Sequence, residues 1–382
     1  MLPRPCAVAI GMSLLWAWAL AAPAAARPQS VLVIVADDQR ADTIHALGNP
    51  HVRTPALDAL VARGTSFDRA YCMGGGHGAV CIASRAMMLA GRTLFRRDEA
   101  LAGQDTWPEA FARAGRRTFL AGKWHNGQDS ARRAFQAGRG VFFGGMTDQW
   151  NVPVSSFPAA DGGIGAAETA AGVHSAQVVG DAAVAFLEEV GEEPFFAWVA
   201  FTLPHDPRQA PAAFRERYRG REPPPPANWL PEHPFDNGEL GVRDELLLPR
   251  PLTAAALSGA IADADACIDA LDAEVGRMTA VLERRGRLDD TLVLFVSDQG
   301  LALGSHGLLG KQNLYEHSMR APAILAGPGV PAGRREGALC LLPDVVATAG
   351  KNVVAITLKP NCHLVLGDDR DKSTEYTFDP FL

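Results

Sequence analysis

Beyond its first 26 residues the chain has no apolar run approaching about 18 residues, so nothing there reads as a membrane-spanning helix. It has no excess of basic charge. The formal net charge is -7 with both signs interspersed, which argues against nucleic acid as the main partner. No segment recurs at a fixed period, which excludes repeat architectures. The run Gly74-Gly75-Gly76-His77-Gly78 lacks the lysine and the helix context of a phosphate loop, and reads as a flexible approach to the segment after it. Cysteine is scarce, at six in 382 residues.

What is present begins with residues 1–26. They carry a basic start at Arg4, an apolar stretch through Leu14-Leu15-Trp16-Ala17-Trp18-Ala19-Leu20, and Ala24-Ala25-Ala26 before Arg27. That is the pattern of a cleaved secretory leader. The product is expected to be exported, periplasmic or secreted, and free of a membrane span. Five cysteines then remain, Cys72, Cys81, Cys267, Cys340 and Cys362, an odd number for an exported chain. One of them has a task other than pairing, and Cys81 is the candidate.

Four short apolar runs end in bursts of polar residues. They are 31–36 before Asp37-Asp38, 117–121 before Lys123-Trp124-His125, 195–201 before His205-Asp206, and 291–296 before Asp298-Gln299. Helical patterns at 54–63, 108–114, 171–189 and 253–285 alternate with them, the last opened by a threonine N-cap. The alternation predicts an α/β fold with a doubly wound, mostly parallel central sheet flanked by helices. Ligands of such sheets bind at the carboxyl ends of the strands, where all four polar bursts fall. The proline-rich stretch 219–250, with Pro223-Pro224-Pro225-Pro226, reads as an extended surface excursion. From about residue 351 to 382 the composition shifts to Asn, Lys, Thr and Asp, an atypical tail.

Cys81 is followed four residues later by Arg85 at the start of an apolar, helix-like run, which puts a reactive side chain and a fixed cation on one helical face. Helix N-termini also hold anions. Asp37, Asp38 and Asp298 with the Gln299 amide form a hard-oxygen set suited to Ca²⁺ or Mg²⁺. Taken singly, each pair is as well a turn or cap after a strand. Lys123 and His125, two apart at a strand end, point to one side and suit a cation beside a titratable base. His205, flanked by prolines, could protonate a leaving group or be a plain loop histidine. Lys311 adds a further cation.

These motifs resemble, in order, those of the formylglycine-dependent sulfatases of the alkaline phosphatase superfamily. The family has an early strand ending in D-D, then C-x-P-S-R-x-x-x-L-T-G-R, G-K-W-H, a proline-flanked histidine, S-D-N-G or S-D-H-G, and K-x-x-x-Y-E. Here stand Asp37-Asp38, the run from Cys81 through Arg85 to Arg92, Gly122 with Lys123, Trp124 and His125, Pro204-His205, Ser297-Asp298-Gln299-Gly300, and Lys311 with Tyr315-Glu316. The resemblance implies that a maturation enzyme oxidises Cys81 to formylglycine (3-oxoalanine). It further implies that Asp37, Asp38, Asp298 and Gln299 bind Ca²⁺, ahead of Mg²⁺, together with residue 81, and that Arg85, Lys123 and Lys311 neutralise the sulfate. One hydroxyl of the hydrated aldehyde would attack sulfur with Asp298 as proton acceptor, His205 and Lys311 would assist the leaving oxygen, and His125 would deprotonate the second hydroxyl to expel sulfate. The substrate implied is a saccharide or other small organic sulfate ester.

Ala83 stands where the signature has proline, and Gln299 where it has Asn or His, its amide oxygen on a longer arm. Residues 27–350 are expected to form the catalytic domain, with the tail 351–382 in place of the usual C-terminal subdomain, truncated or replaced. Asp148, Trp150 and Asn151, in the loop 142–151, are candidates for the substrate pocket, and His306 for the anion site. The rival readings are a phosphatase or phosphonate monoester hydrolase on the same scaffold, an inactive anion- or glycan-binding relative, and a thiol nucleophile at Cys81 with a histidine base.

Overall fold

A computed structural model describes residues 30–78, 80–158 and 162–346. The leader, the tail and Cys362 lie outside the described residues. In chain order the strands are β1 (Ser30–Asp37), β2 (Gly64–Phe67), β3 (Ala70–Tyr71), β4 (Arg117–Lys123), β5 (Ala137–Phe142), β6 (Pro153–Phe157), β7 (Glu168–Thr169), β8 (Phe195–Pro204), β9 (Thr291–Ser297), β10 (Ala323–Ala326), β11 (Arg334–Glu336) and β12 (Cys340–Leu341). The helices are α1 (Pro55–Arg63), α2 (Val80–Ala90), α3 (Trp107–Arg113), α4 (Gln128–Ala134), α5 (Ser175–Glu189), α6 (Ala212–Arg215), α7 (Ala254–Arg284) and α8 (Glu316–Met319).

The main sheet has ten strands in the order β11-β2-β10-β9-β1-β8-β4-β5-β6-β7, and β3 pairs with β12 in a separate ladder. Its centre, β9-β1-β8-β4-β5, is all parallel, with Val31 opposite Phe196 on one side and Leu292 on the other. Helices cover both faces, so the central strands are apolar on both sides rather than alternating. Val31, Val33 and Val35 join the core under α2, α3 and α4, whereas Leu32, Ile34 and Ala36 join the core under α1, α5 and α7.

All four apolar runs read from the sequence are strands of this centre. The helix expected at 171–189 begins only at Ser175, where His174 caps it by accepting from the Ala176 N–H. On α7, Thr253 accepts from the Ala256 N–H at 3.2 Å, the expected cap. Buried Asp272 of the same helix takes the Leu57 and Ala56 N–H groups at 2.8 and 3.0 Å, and so satisfies the first turn of α1 from outside. The edges were not expected. β10 runs antiparallel to β9 and β2, and β6 antiparallel to β5. The stretch 219–250 is not wholly a surface excursion either, because it folds back to bury Asp244 and Glu245.

Candidate active site and metal centre

Just before two of the strand ends the pairing slips, between Val35 and Asp37 on β1 and between Ala121 and Gly122 on β4. Such irregularities re-aim the side chains that follow. Asp38 and His125, each just past a strand end, both take φ of 69°, in the left-handed region that non-glycine residues seldom enter. The consequence is convergence: Asp37, Asp38, Lys123, His205 and Asp298, from four strand ends, meet the first turn of α2.

Cys81 lies in that turn, 3% exposed. Ser84 Oγ donates to the Asp298 carbonyl at 2.6 Å, fastening α2 to the loop after β9. Arg85 donates through Nε to Asp298 Oδ2 at 2.9 Å and through Nη1 to the Lys123 carbonyl at 2.9 Å. Lys123 Nζ is 2.5 Å from Asp37 Oδ2, and Lys311 Nζ is 2.8 and 2.7 Å from the two Asp38 oxygens and 3.3 Å from Cys81 Sγ. Gln299 Nε2 contacts Asp38 Oδ1 at 2.5 Å and Cys81 Sγ at 2.9 Å. His205 Nδ1 sits 2.7 Å from the Asp206 carbonyl, and its Nε2 is 3.7 Å from Asp38 Oδ2.

Three buried carboxylates thus face three buried cations, and their titration follows. Burial alone would raise Asp37, but Lys123, His205, Arg85 and Lys311 hold it well below the usual carboxylate range. Asp38 is lowered in the same way, with Lys311 the largest opponent of burial. Asp298 behaves oppositely: burial, then the Asp37 charge, push it up to about 7 against Arg85. Burial pushes the Cys81 thiol up despite Lys311 and Lys123. Burial, with Lys123 and Arg85 beside it, lowers His125 to about 3, so its ring is neutral at ordinary pH.

Polar atoms buried without partners test whether a cation and an anion fit. Asp37 Oδ1 and Gln299 Oε1 are orphaned acceptors, and Arg85 Nη2 is an orphaned donor. Ligand atoms of Asp37, Asp38, Cys81 and His205 lie within 4.8 Å of one another. A half-turn of the Gln299 amide exchanges its nitrogen for its oxygen. The oxygens suit a hard divalent cation, and Arg85 Nη2, 3.7 Å from Asp37 Oδ1 and without a hydrogen bond, is a donor that suits an oxyanion.

A cavity of about 330 Å³ opens above Cys81, walled by His125, His205, Arg243, Asp244 and Lys311. Gly145 belongs to the same wall, and a Cβ there would stand 2.9 Å from His125 Nε2. Nothing in the sequence pointed to Arg243 or Asp244, which sit in an irregular stretch with no period. Arg243 pairs with Asp206 and Asp244 at the rim. The four substrate candidates do not join this wall. Asp148 and Asn151 are exposed, and Trp150 packs edge-on to His174 at 5.0 Å. His306 stacks on Tyr315 at 4.3 Å and lines a neighbouring cavity with Arg40 and His317. Cys72, Cys267 and Cys340 are buried free thiols, so no disulfide forms among the described residues.

A cavity walled by histidines and cations over a cluster of buried acids that could hold a metal ion, at the carboxyl edge of a doubly wound sheet, marks an α/β protein with its candidate site at the strand ends. Within that class the chain belongs to the sulfatase family, whose sequence model matches residues 29–349. It is 26% identical over 349 residues to an arylsulfatase of Clostridium perfringens, covering 79% of this chain and 69% of the relative. It is 29% identical over 340 residues to a choline-sulfatase of Rhizobium meliloti, covering 80% and 64%. The chain therefore spans about two thirds of the length of these curated relatives. Among solved structures it resembles BT4656, determined in complex with its substrate D-glucosamine-2-N,6-O-disulfate, at a TM-score of 0.69 and 22% identity, covering 86% of this chain and 77% of that one. A likeness at that identity bears on the fold alone.

Proposed function

We propose that this chain hydrolyses a sulfate ester, of a saccharide or another small organic alcohol, to sulfate and the free alcohol. The observation that carries the reading is the ring of Asp37, Asp38, Asp298, Arg85, Lys123 and Lys311 closed around Cys81, in which Asp37 Oδ1, Gln299 Oε1 and Arg85 Nη2 are buried without a hydrogen bond. Asp37, Asp38, Asp298 and Gln299 would hold Ca²⁺, which when bound supplies charge neutralisation and polarises a sulfate oxygen. Arg85, Lys123 and Lys311 meet the charge that develops on the transferring group. His205, beside Lys311 at the cavity wall, gives a proton to the departing oxygen.

A thiol at position 81 is a poor nucleophile, because burial keeps it protonated. This supports the conversion of Cys81 to formylglycine by a separate maturation enzyme. Residue 81, so converted and hydrated, would supply two hydroxyls; Asp298 would take the proton of the one facing sulfur, and His125 that of the other, which would let the ester bond to sulfate break. Residues 27–350 are the catalytic unit of this proposal, acting after export directed by residues 1–26, with 351–382 outside it. No helix among the described residues is long and apolar enough to cross a membrane.

The test is co-expression with a maturation system, mass spectrometry of the peptide spanning residue 81, and turnover of matched sulfate and phosphonate esters. Formylglycine at 81 with faster sulfate-ester turnover supports the proposal. An unmodified thiol with undiminished turnover, or a preference for the phosphonate, overturns it. Cys81→Ala should remove turnover while leaving the fold intact.

A further inference from the structure

Lys311 is delivered by an irregular segment between β9 and α8, whose backbone groups must find partners outside a helix or a ladder. Two of them find one side chain. The N–H of Leu309 donates to Glu245 Oε2 at 2.8 Å and the N–H of Gly310 to Glu245 Oε1 at 2.7 Å. Glu245 is 3% exposed and is anchored from the other side by Arg250 Nη2 at 2.8 Å from Oε2. The approach is close enough to require glycine at 310, where a Cβ would meet Asp244 Cβ at 2.9 Å and Glu245 Oε1 at 3.0 Å. On the far flank of Lys311, Gln312 Nε2 donates to Asp244 Oδ2 at 3.1 Å. One short turn of chain, Arg243–Leu246, thus grips the segment immediately before and after Lys311.

We propose that Glu245 is the positioning residue for Lys311: by accepting the Leu309 and Gly310 N–H groups it sets the ammonium against Asp38 and Cys81, and through it the binding of the sulfate. This inference rests on the sulfatase reading for its link to turnover, but not for its link to anion binding. A carboxylate taking two adjacent N–H groups offers an acceptor to each, whereas the isosteric amide keeps only one and turns an N–H₂ donor toward the other. Glu245→Gln should therefore leave the shape and loosen the grip.

The experiment compares wild type, Glu245→Gln, Lys311→Ala and the double variant, with formylglycine content measured in each. The first readout is inorganic sulfate affinity by calorimetry; the second is kcat/KM across aryl sulfates of graded leaving-group pKa. Glu245→Gln should weaken sulfate binding by about tenfold, steepen the leaving-group dependence as Lys311→Ala does, and add nothing to the loss in Lys311→Ala. Unchanged sulfate affinity, or losses that add in the double variant, would overturn the positioning role. Should no sulfate ester turn over while formylglycine is present, the sulfatase reading fails, and the affinity comparison still decides the role of Glu245. If Glu245→Gln cannot be obtained folded, Arg250→Gln, which releases the outer anchor of Glu245, carries the same comparison.

Discussion

Arg85 and Asp298 are joined by a 2.9 Å bond between Nε and Oδ2, and neither side chain is more than 1% exposed. Arg85 also lies 3.7 Å from Asp37 Oδ1. The guanidinium is therefore the bonded cation of Asp298 and a second, more distant one for Asp37, whose nearest cation is Lys123 at 2.5 Å. Arg85→Leu strips Asp298 of its bonded cation while Asp37 keeps Lys123, and breaking a buried pair in this way costs about 3–5 kcal/mol. Denaturant unfolding should show a loss of that size together with loss of turnover; a variant as stable as wild type would contradict the coupling.

Gly145 leaves the space that His125 fills, 2.9 Å from where a Cβ would stand. Gly145→Ala should push the ring aside at little cost to melting temperature while lowering kcat by roughly 10–100-fold, the scale expected for small misplacement of a reacting group. Steady-state kinetics beside a melting curve separates this from general destabilisation.

Under the proposed function a divalent cation should stabilise the fold, because it would bind the native cluster of acids and not the unfolded chain. At a hundredfold excess over Kd the gain is about 2.7 kcal/mol. Chelation followed by Ca²⁺ addition should raise the melting temperature more than Mg²⁺ does, and Asp38→Asn should abolish the rise. A melting temperature indifferent to Ca²⁺ would remove the metal from the proposal.

Asp265 on α7 is 2% exposed, and its Oδ2 has no partner. Burial, with Asp42 nearby, pushes its carboxyl up to about 7. The sign follows from proton counting. Between the unfolded value near 3.8 and about 7 the folded state keeps a proton that the unfolded state releases, so stability falls as pH rises through that window and levels off above it. Asp272 titrates in the same window, also raised by burial. Asp265→Asn should flatten the decline and be more stable than wild type at pH 8. Equal slopes in urea unfolding from pH 4 to 8 would show that Asp265 does not carry it.

The strand ends were legible because parallel strands buried on both faces must be continuous apolar runs, and the run from Val31 to Ala36 stops abruptly at Asp37-Asp38. Lys123 and Asp298 were legible for the same reason, each standing where an apolar pattern gives way to charge, and Cys81 by its four-residue spacing from Arg85 at the head of an apolar run. Arg243, Asp244 and Glu245 were not, since they lie in an irregular stretch where buried charge leaves no periodic trace. The short strands β2, β10 and β11 on one flank of the sheet are only three or four residues long, too short to carry a pattern. Asp148, Trp150, Asn151 and His306 had only their neighbourhood in the sequence to recommend them, and distance along a loop says little about which cavity its residues line.

The enclosure of Cys81 also bears on when its chemistry can change. Its sulfur is touched by Gln299 and Lys311, more than two hundred positions later in the chain, and its helix is fastened to the Asp298 carbonyl. Any catalyst that oxidises this cysteine has to reach it while those partners are still unmade or displaced. For the conversion proposed at Cys81, the covering residues would therefore favour modification ahead of closure.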